Sequence, residues 1–416
     1  MLHNRFYGVG GTEQVLFELI DILENFDHEC IVFSTHHPHN RPSPYEAYFI
    51  DRMESYDNLG LMQVMANITN LVKGVIYSPE ARRRVERLID DLQPQIGHVH
   101  VIDHWISPSV LYALRAKGLP VVKSVNDHKL VCPNYLLYNP NKETVCEKCV
   151  EGHFYNILLE RCHKSSFYSS ALLCAGMYIH KWMGVYNNLI DIYMVSNRHK
   201  EQMLIRAGYD PQKIRVVPHP INVYSYHPDN DYGDYCLYFG RFTREKGILT
   251  LFRAVEEIPN IKLAMVGTGP QEKELVEWVR LKGLHNIVFW GPKWKEELTA
   301  ILSKARFVIV PSEWYEGTPM AIYQSFAMGK AVIGSNIGGI PDGIDDGVNG
   351  LLFKPADSCD LRLKIKMLWD NPLLAVEMGR KARAWVETEL NPQKYYERII
   401  SIYSDLLGKQ PASLRR

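Results

Sequence analysis

The chain has 416 residues, with 47 Lys and Arg against 47 Asp and Glu, and 46% of its residues are hydrophobic. That length suits two or three domains with sizeable cores. The net charge of 47 − 47 = 0 excludes a general polyanion binder, because nucleic-acid affinity rests on an excess of Lys and Arg facing phosphates.

Fourteen of the 16 histidines and six of the eight cysteines lie at or before His219, so any metal or redox chemistry is expected in the first half. The opening Met1-Leu2-His3-Asn4-Arg5 lacks the apolar core of a secretory signal. Eight cysteines are too sparse for a disulfide scaffold, and the chain reads as cytosolic with reduced thiols. The most apolar window, 171–195, is interrupted by His180, Lys181, Trp182 and Asp191. It reads as a buried or interfacial helix rather than a membrane span.

In chain order, the periodicity predicts a helix over Thr12–Phe26, a strand over Cys30–Phe33 and a helix over Glu80–Leu92. Strands follow at Ile96–Val101, Val121–Val125, Ile192–Val195 and Ile214–Val217. Such alternation predicts a mainly parallel sheet covered by helices on both faces. Pro218, Pro220 and Pro228, with the polar run 227–233, read as an interdomain linker.

The pattern then restarts. Strands are expected at Cys236–Phe239, Leu263–Val266, Ile287–Phe289, Phe307–Val310 and Ala331–Ile333, with helices from Lys246, over Gln271–Leu281, over Lys295–Ser303 and from Met320. A last helix over Pro392–Leu407 places Tyr395, Ile399, Ile400, Tyr403 and Leu406 on one side, a face that needs covering. The expected division is 1–222, 223–390 and a terminal helix and tail at 391–416. One oddity is the beginning: the glycine turn Gly8-Val9-Gly10-Gly11 comes almost at once. Only Leu2-His3-Asn4 could supply the buried strand that should precede it, so either the strand begins upstream or a central strand is missing.

Three segments could carry chemistry, each between a strand end and a helix start. In Gly240-Arg241-Phe242-Thr243-Arg244-Glu245-Lys246-Gly247, an Arg and a Lys five residues apart can grip a diphosphate, or simply form a solvated basic turn. Val266-Gly267-Thr268-Gly269-Pro270 is half of a dinucleotide fingerprint, lacking the third glycine. The carboxylates of the segment from Pro311 to Met320 (PSEWYEGTPM) can read a polar ligand or cap the next helix.

Taken in order, GRFTREKG, VGTGP, the FWG turn at Phe289–Gly291, PSEWYEGTPMAIYQSFAMGKAVIGS, GGIPDGI and NGLLF resemble the donor domain of glycosyltransferase family 4, retaining enzymes of the GT-B fold. The resemblance is close from Tyr235 to about Phe353. It is looser in the first half, through GVGGTEQ, the HVH region and SVNDHKLVCPNYLLY. It implies an α/β fold of two doubly wound, Rossmann-like domains facing across a cleft, with the C-terminal helix packing back toward the first. Arg241, Lys246 and Glu316 would be the catalytic set: the two cations neutralising a departing nucleotide diphosphate, the carboxylate contacting donor-sugar hydroxyls. Gly267 and Gly269, with Gly317, Thr318, Pro319 and Met320, would bring backbone close to sugar and phosphate, and Gly10 and Gly11 would let the first-domain loop approach the donor.

Two positions depart from the family pattern. A second Glu is replaced by Gln324, which still hydrogen-bonds but carries no charge. A first-domain His is replaced by Asn126, ahead of Asp127; on a strand-like backbone His128 would share the face of Asn126.

Cys132, Cys146, Cys149 and Cys162 form a C-x13-C-x2-C-x12-C cluster inside the 132–162 insert, which suits a structural zinc or a set of reduced, redox-responsive thiols. No catalytic metal is expected. Asp229-Asn230-Asp231 fits D-x-D formally but sits in the linker, where a solvated turn is the simpler reading. Arg82-Arg83-Arg84 reads as a solvated helix face, with anionic lipid as the alternative.

The resemblance implies transfer of a sugar from a UDP- or GDP-sugar to a glycan or lipid-linked glycan, with no nucleic-acid partner. The setting would be cell-surface polysaccharide synthesis, in the cytoplasm at the inner face of the membrane, with peripheral membrane contact. A nucleotide-sugar-binding protein with reduced catalysis is the alternative, and a nicotinamide-dependent oxidoreductase rests only on the glycine turns.

Overall fold

The computed structural model describes residues 1–8, 10–52, 75–103, 105–163, 167–229, 233–317 and 319–408. The chain forms two compact units: Met1–Lys142, Cys146–Val217 and Tyr396–Arg416 make the first, Glu143–Val145 and Pro218–Tyr395 the second. The expected division at 222/223 compares with this passage between units at Val217 and Pro218, among the prolines read as a linker.

The first unit runs α1 (Gly11–Asn25), α2 (Pro79–Leu92), β1 (Gly97–Val99), α3 (Ser109–Ala116) and β2 (Val121–Val125). Two-residue strands β3 (Tyr138–Asn139) and β4 (Thr144–Val145) follow, the latter grouped with the second unit. Then come α4 (Asn156–Glu160), α5 (Phe167–Trp182), α6 (Val185–Leu189), β5 (Ile192–Val195), α7 (Arg198–Arg206) and β6 (Ile214–Val216). The sheet is parallel in the order β1-β2-β5-β6, and β2 and β5 are buried along their whole length, Lys123 and Ser124 of β2 included.

The missing central strand is present in reduced form. Leu2 bridges both Phe33 and Val99 in parallel, with Leu2 N–H donating to His98 O (2.9 Å) and Phe33 N–H to Met1 O (2.9 Å). The segment Met1–Asn4 thus lies between Phe33 and β1. The strand expected over Cys30–Phe33 appears only as an isolated bridge at Phe33, and Thr35 bridges Ile50.

The second unit runs β7 (Tyr235–Phe239), α8 (Ile248–Glu256), β8 (Lys262–Val266), α9 (Glu272–Lys282), β9 (Ile287–Gly291), α10 (Lys295–Lys304) and β10 (Val308–Val310). It continues with α11 (Met320–Ala327), β11 (Val332–Ser335), β12 (Gly350–Phe353), α12 (Ser358–Asp370) and α13 (Pro372–Glu389). Its six parallel strands lie in the order β12-β11-β10-β7-β8-β9. Read from the other edge, this is the doubly wound order 3-2-1-4-5-6, with the reversal between β7 and β10. Alternate strand residues feed two cores: Cys236, Tyr238, Leu263 and Ile309 pack with α8, α9 and α12, while Leu237, Phe239, Val308 and Val310 pack with α11 and α13.

The last helix, α14 (Pro392–Gly408), crosses the division, and from Tyr396 onward it belongs to the first unit. Tyr396 stacks on Phe26 with ring centroids 3.8 Å apart and bonds His28 (3.0 Å), and Tyr403 OH lies 2.5 Å from His98 Nδ1. Of the face expected on this helix, Tyr395, Ile399 and Leu406 are buried and Ile400 and Tyr403 half-buried, and Ile402 is buried beside them. Among the described residues no helix is long and apolar enough to cross a membrane.

Candidate donor site and first-domain pocket

In the second unit, the expected site segments all leave the carboxyl ends of β7, β8 and β10, the side on which open α/β sheets bind ligands. Backbone bonds knit them together: Phe242 N–H donates to Thr268 O (2.9 Å), Gln271 N–H to Phe242 O (3.1 Å) and Glu313 N–H to Glu245 O (2.8 Å). Two glycines allow this. Gly247 has φ +66°, and a Cβ there would lie 2.0 Å from Pro311 O. Gly267 has φ +144°, and its Cβ would lie 1.9 Å from Gly240 O. A Cβ at Gly269 would lie 2.4 Å from Phe242 O, so Gly267 and Gly269 serve loop-on-loop packing within the unit.

Lys246 ends a 3-10 turn over Arg244–Lys246, and its Nζ donates to Glu316 Oε1 at 2.5 Å. The two residues are 70 apart in sequence and come from loops on either side of the strand reversal. Ser312 Oγ donates to the same oxygen (2.6 Å), and Ser335 Oγ holds Ser312 O (2.6 Å), fixing the loop from the neighbouring strand. Glu316 is buried. Burial pushes its carboxyl upward, but the Lys246 charge and the bonds from Lys246 and Ser312 outweigh this and hold it below the usual carboxylate range. Glu313 accepts a bond from Thr250 Oγ1 on α8 (2.6 Å) and so braces the loop against that helix.

Arg241 is exposed on the same loop as Lys246. Gly317 is half-buried, Pro319 is buried, and Met320 opens α11; Gln324 sits one turn further along that helix, half-buried. Thr318 lies outside the described residues, as do Asn230 and Asp231 of the formal D-x-D. Ser312 and Trp314 had no assigned role in the sequence. Both lie at Glu316 or Lys246, the Trp314 ring centroid 5.5 Å from Lys246 Nζ, and only their place within a strand-end loop could have flagged them.

In the first unit, Gly10 and Gly11 are exposed where α1 begins, and Glu13 accepts bonds from Gly10 N–H (3.1 Å) and Thr12 Oγ1 (3.0 Å). Asn126 follows β2, half-buried, with Nδ2 3.4 Å from His100 Nδ1. His100 stacks on His98 (4.6 Å), and both rings are held neutral, chiefly by burial. The strand-like placement expected for His128 is corrected: the backbone turns after Val125, with Asp127 Oδ1 accepting Lys129 N–H (2.9 Å). His128 packs edge-on toward His199 (6.3 Å), while Asn126 reaches His100.

Lys200, which sequence reasoning missed, is buried on α7 and donates to Val125 O (3.0 Å) and Asn126 O (2.7 Å). Burial lowers its ammonium to about 8 against the opposing pull of Asp127. Asp127 is itself pushed up by burial and by Asp103. The alternation His98-Val99-His100 at a strand end was the signal for the histidines; a lone Lys in the first turn of a helix gave none.

The four insert cysteines are free thiols. Cys149 and Cys162 share a small core with Phe154, Leu173 and Met177, and Cys132 Sγ donates to Asn134 Oδ1 (2.8 Å). Burial pushes the Cys162 thiol up to about 12 and raises Cys132 and Cys149 too. Among the described residues no three His, Cys, Asp or Glu side chains are arranged to hold a metal ion. On α2, Arg82 bonds Glu86 (2.7 Å) and Tyr77, while Arg84 bonds Ala47 O (3.0 Å), so these arginines are engaged along the unit's own surface.

Comparison with known proteins bears on this arrangement. Residues 9–224 match the family described as Glycosyltransferase Family 4, and residues 227–385 match Glycosyl transferases group 1. An uncharacterized glycosyltransferase of Methanocaldococcus jannaschii is 28% identical over 190 residues, 44% of this chain and 53% of that protein. A D-inositol 3-phosphate glycosyltransferase of Corynebacterium kroppenstedtii is 25% identical over 245 residues, 51% of this chain and 52% of that protein. The chain thus spans about half the length of these curated relatives. Among solved structures, sucrose-phosphate synthase from Thermosynechococcus elongatus superposes with a TM-score of 0.69 at 19% identity, covering 98% of this chain and 96% of that one. HepE of Anabaena, in complex with UDP, gives 0.68 at 13%, covering 97% and 99%. At such identities the likeness speaks for the fold. With one family match alone extending over more than half of the 416 residues, the chain belongs to glycosyltransferase family 4 and has the GT-B fold.

Proposed function

We propose that the chain transfers a sugar from a UDP- or GDP-sugar to a glycan or lipid-linked glycan, with retention of anomeric configuration, in cell-surface polysaccharide synthesis at the cytoplasmic face of the membrane. The observation that carries this reading is the Lys246–Glu316 pair at the strand reversal of the second unit, with Arg241 on the same loop.

Transfer breaks the bond from the anomeric carbon to the diphosphate and forms one to an acceptor oxygen, leaving negative charge on the diphosphate. Arg241 and Lys246 are the groups that would meet it, one as a planar fork and one as a point charge. Glu316, held ionised, accepts hydrogen bonds and has no proton to give, so it suits reading sugar hydroxyls rather than protonating a leaving group. Ser312 keeps that carboxylate aimed when Lys246 turns to phosphate.

A thermal-shift screen against nucleotide sugars, followed by donor-consumption assays, tests the reading, since a ligand of the folded state raises its melting temperature by mass action. Stabilisation by no UDP- or GDP-sugar would overturn it. Binding without consumption under any acceptor would favour the lost-catalysis alternative, which Asn126 and Gln324 motivate.

A structural zinc on Cys132, Cys146, Cys149 and Cys162 is a separate proposal, supported by their common insert. Closing such a cage requires Cys132 to give up Asn134, and thiolates in place of thiols whose burial now raises them.

A further inference from the structure

Helix α5 has two unlike faces. Leu173, Cys174, Gly176, Met177 and His180 are buried, with Gly176 packed against Val75 and His180 bonded to Ile76 O (3.2 Å). On the other side, every exposed or half-exposed residue from 167 to 183 except Lys181 is aliphatic, aromatic or Met. Trp182 is 88% exposed, Phe167 52%, and Tyr168, Tyr178 and Met183 are exposed beside them. Helix α4, packed against α5, adds Leu159 at 73% exposure. Isolated exposed apolar residues need no explanation, but a continuous stripe along two adjoining helices marks a contact surface.

Charge identifies the occupant. Residues 161–190 contain no Asp or Glu, while Arg161 and Lys181 are exposed at the stripe's margins. The bounding acids are already neutralised: Glu160 by Lys142 (2.6 Å) and Lys148, and Asp191 by Arg115 (2.6 Å). A second copy docking through this same stretch would offer these cations no carboxylate from residues 161–190. An anionic lipid leaflet satisfies both features, taking the apolar side chains below the headgroups and the cations among them, with Trp and Tyr at the boundary.

We propose that the α4–α5 face is a membrane-docking surface that lies on an anionic lipid leaflet without crossing it. The proposal rests on and deepens the membrane-face part of the proposed function; its test uses neither donor nor acceptor, so failure here leaves the sugar-transfer reading standing. The whole chain is floated with vesicles of phosphatidylcholine, alone or mixed with phosphatidylglycerol. It should rise with the mixed vesicles, stay behind with the neutral ones, and be released by salt.

Phe167→Ser with Trp182→Ser, and separately Arg161→Glu with Lys181→Glu, should each lower the bound fraction about tenfold or more with circular dichroism unchanged, and because Lys181 Nζ lies over the Phe154 ring (5.7 Å) the charge variant is floated well below its own melting temperature. Absence of flotation with mixed vesicles, or flotation unaffected by both double variants, overturns the proposal. So does a concentration-dependent dimer in ultracentrifugation that Phe167→Ser with Trp182→Ser abolishes, which would give the face to a second copy.

Discussion

Lys246 Nζ lies 2.5 Å from Glu316 Oε1, joining two loops that meet where the strand order of the second unit reverses. The pair is mostly enclosed, the side chains 24% and 10% exposed, so each charge depends on the other for compensation. Lys246→Ala should reduce sugar transfer about a hundredfold or more, the scale seen when one preorganised stabiliser of developing charge is removed. Glu316→Gln should do likewise. In thermal melts the double variant should fall short of the sum of the singles, because the second change removes the charge that the first left unpaired.

Acid stability should follow the same carboxylate. Its pKa is depressed in the folded chain relative to an ordinary 4.5, so between the two values the unfolded state binds the extra proton. The contribution is therefore present above about pH 4.5 and is lost as pH falls through the folded value. Melts from pH 7 downward should show a steeper decline for the unaltered chain than for Glu316→Gln; parallel curves would count against the assigned pairing.

The loop-on-loop contacts make Gly247 and Gly267 intolerant of any side chain. Each combines positive φ with backbone oxygen about 2 Å from where a Cβ would stand. Gly267→Ala is expected to destabilise the second unit by about 2–4 kcal/mol, measured by denaturant midpoint, with donor affinity falling alongside. Gly11→Ala, where a Cβ meets nothing within 4 Å, should leave stability nearly unchanged and serves as the control.

Lys200 should act as a positioning residue for the turn after β2. Lys200→Met removes the donor from Val125 O and Asn126 O and should speed hydrogen exchange at residues 127–132. Lys200→Arg should restore part of the protection. Exchange unaltered in Lys200→Met would show that the turn is held by Asp127 and the chain around it.

Metal content decides the cysteine insert. Protein purified without chelator should carry about one zinc per chain if the four thiolates close on an ion, and chelation should then lower the melting temperature. With no metal and unchanged melting, the buried thiols act only as core, as Cys149 and Cys162 already do.

The alternation behind both parallel sheets and the strand-end location of Arg241, Lys246 and Glu316 were legible in the linear chain, whereas β12 and the two helices over 358–389 were not foreseen. Strand alternation and glycine turns are local signals, and Val121–Val125 and Ile192–Val195 were found to the residue. What the chain alone could not decide was long-range. It left open whether four residues at the start could serve as a central strand, which depends on Phe33 and β1 flanking Leu2. It could not pair Lys246 with Glu316 across 70 residues, nor reach Asn126 from Lys200 across 74. It also could not foresee the turn that ends the strand at Val125, and a side chain's direction after a strand is set by that turn. A net charge of zero leaves room for one local cationic loop. Only the folded chain decides which charges stand near which carboxylates, since Coulomb attraction and desolvation act over ångströms and not along the sequence.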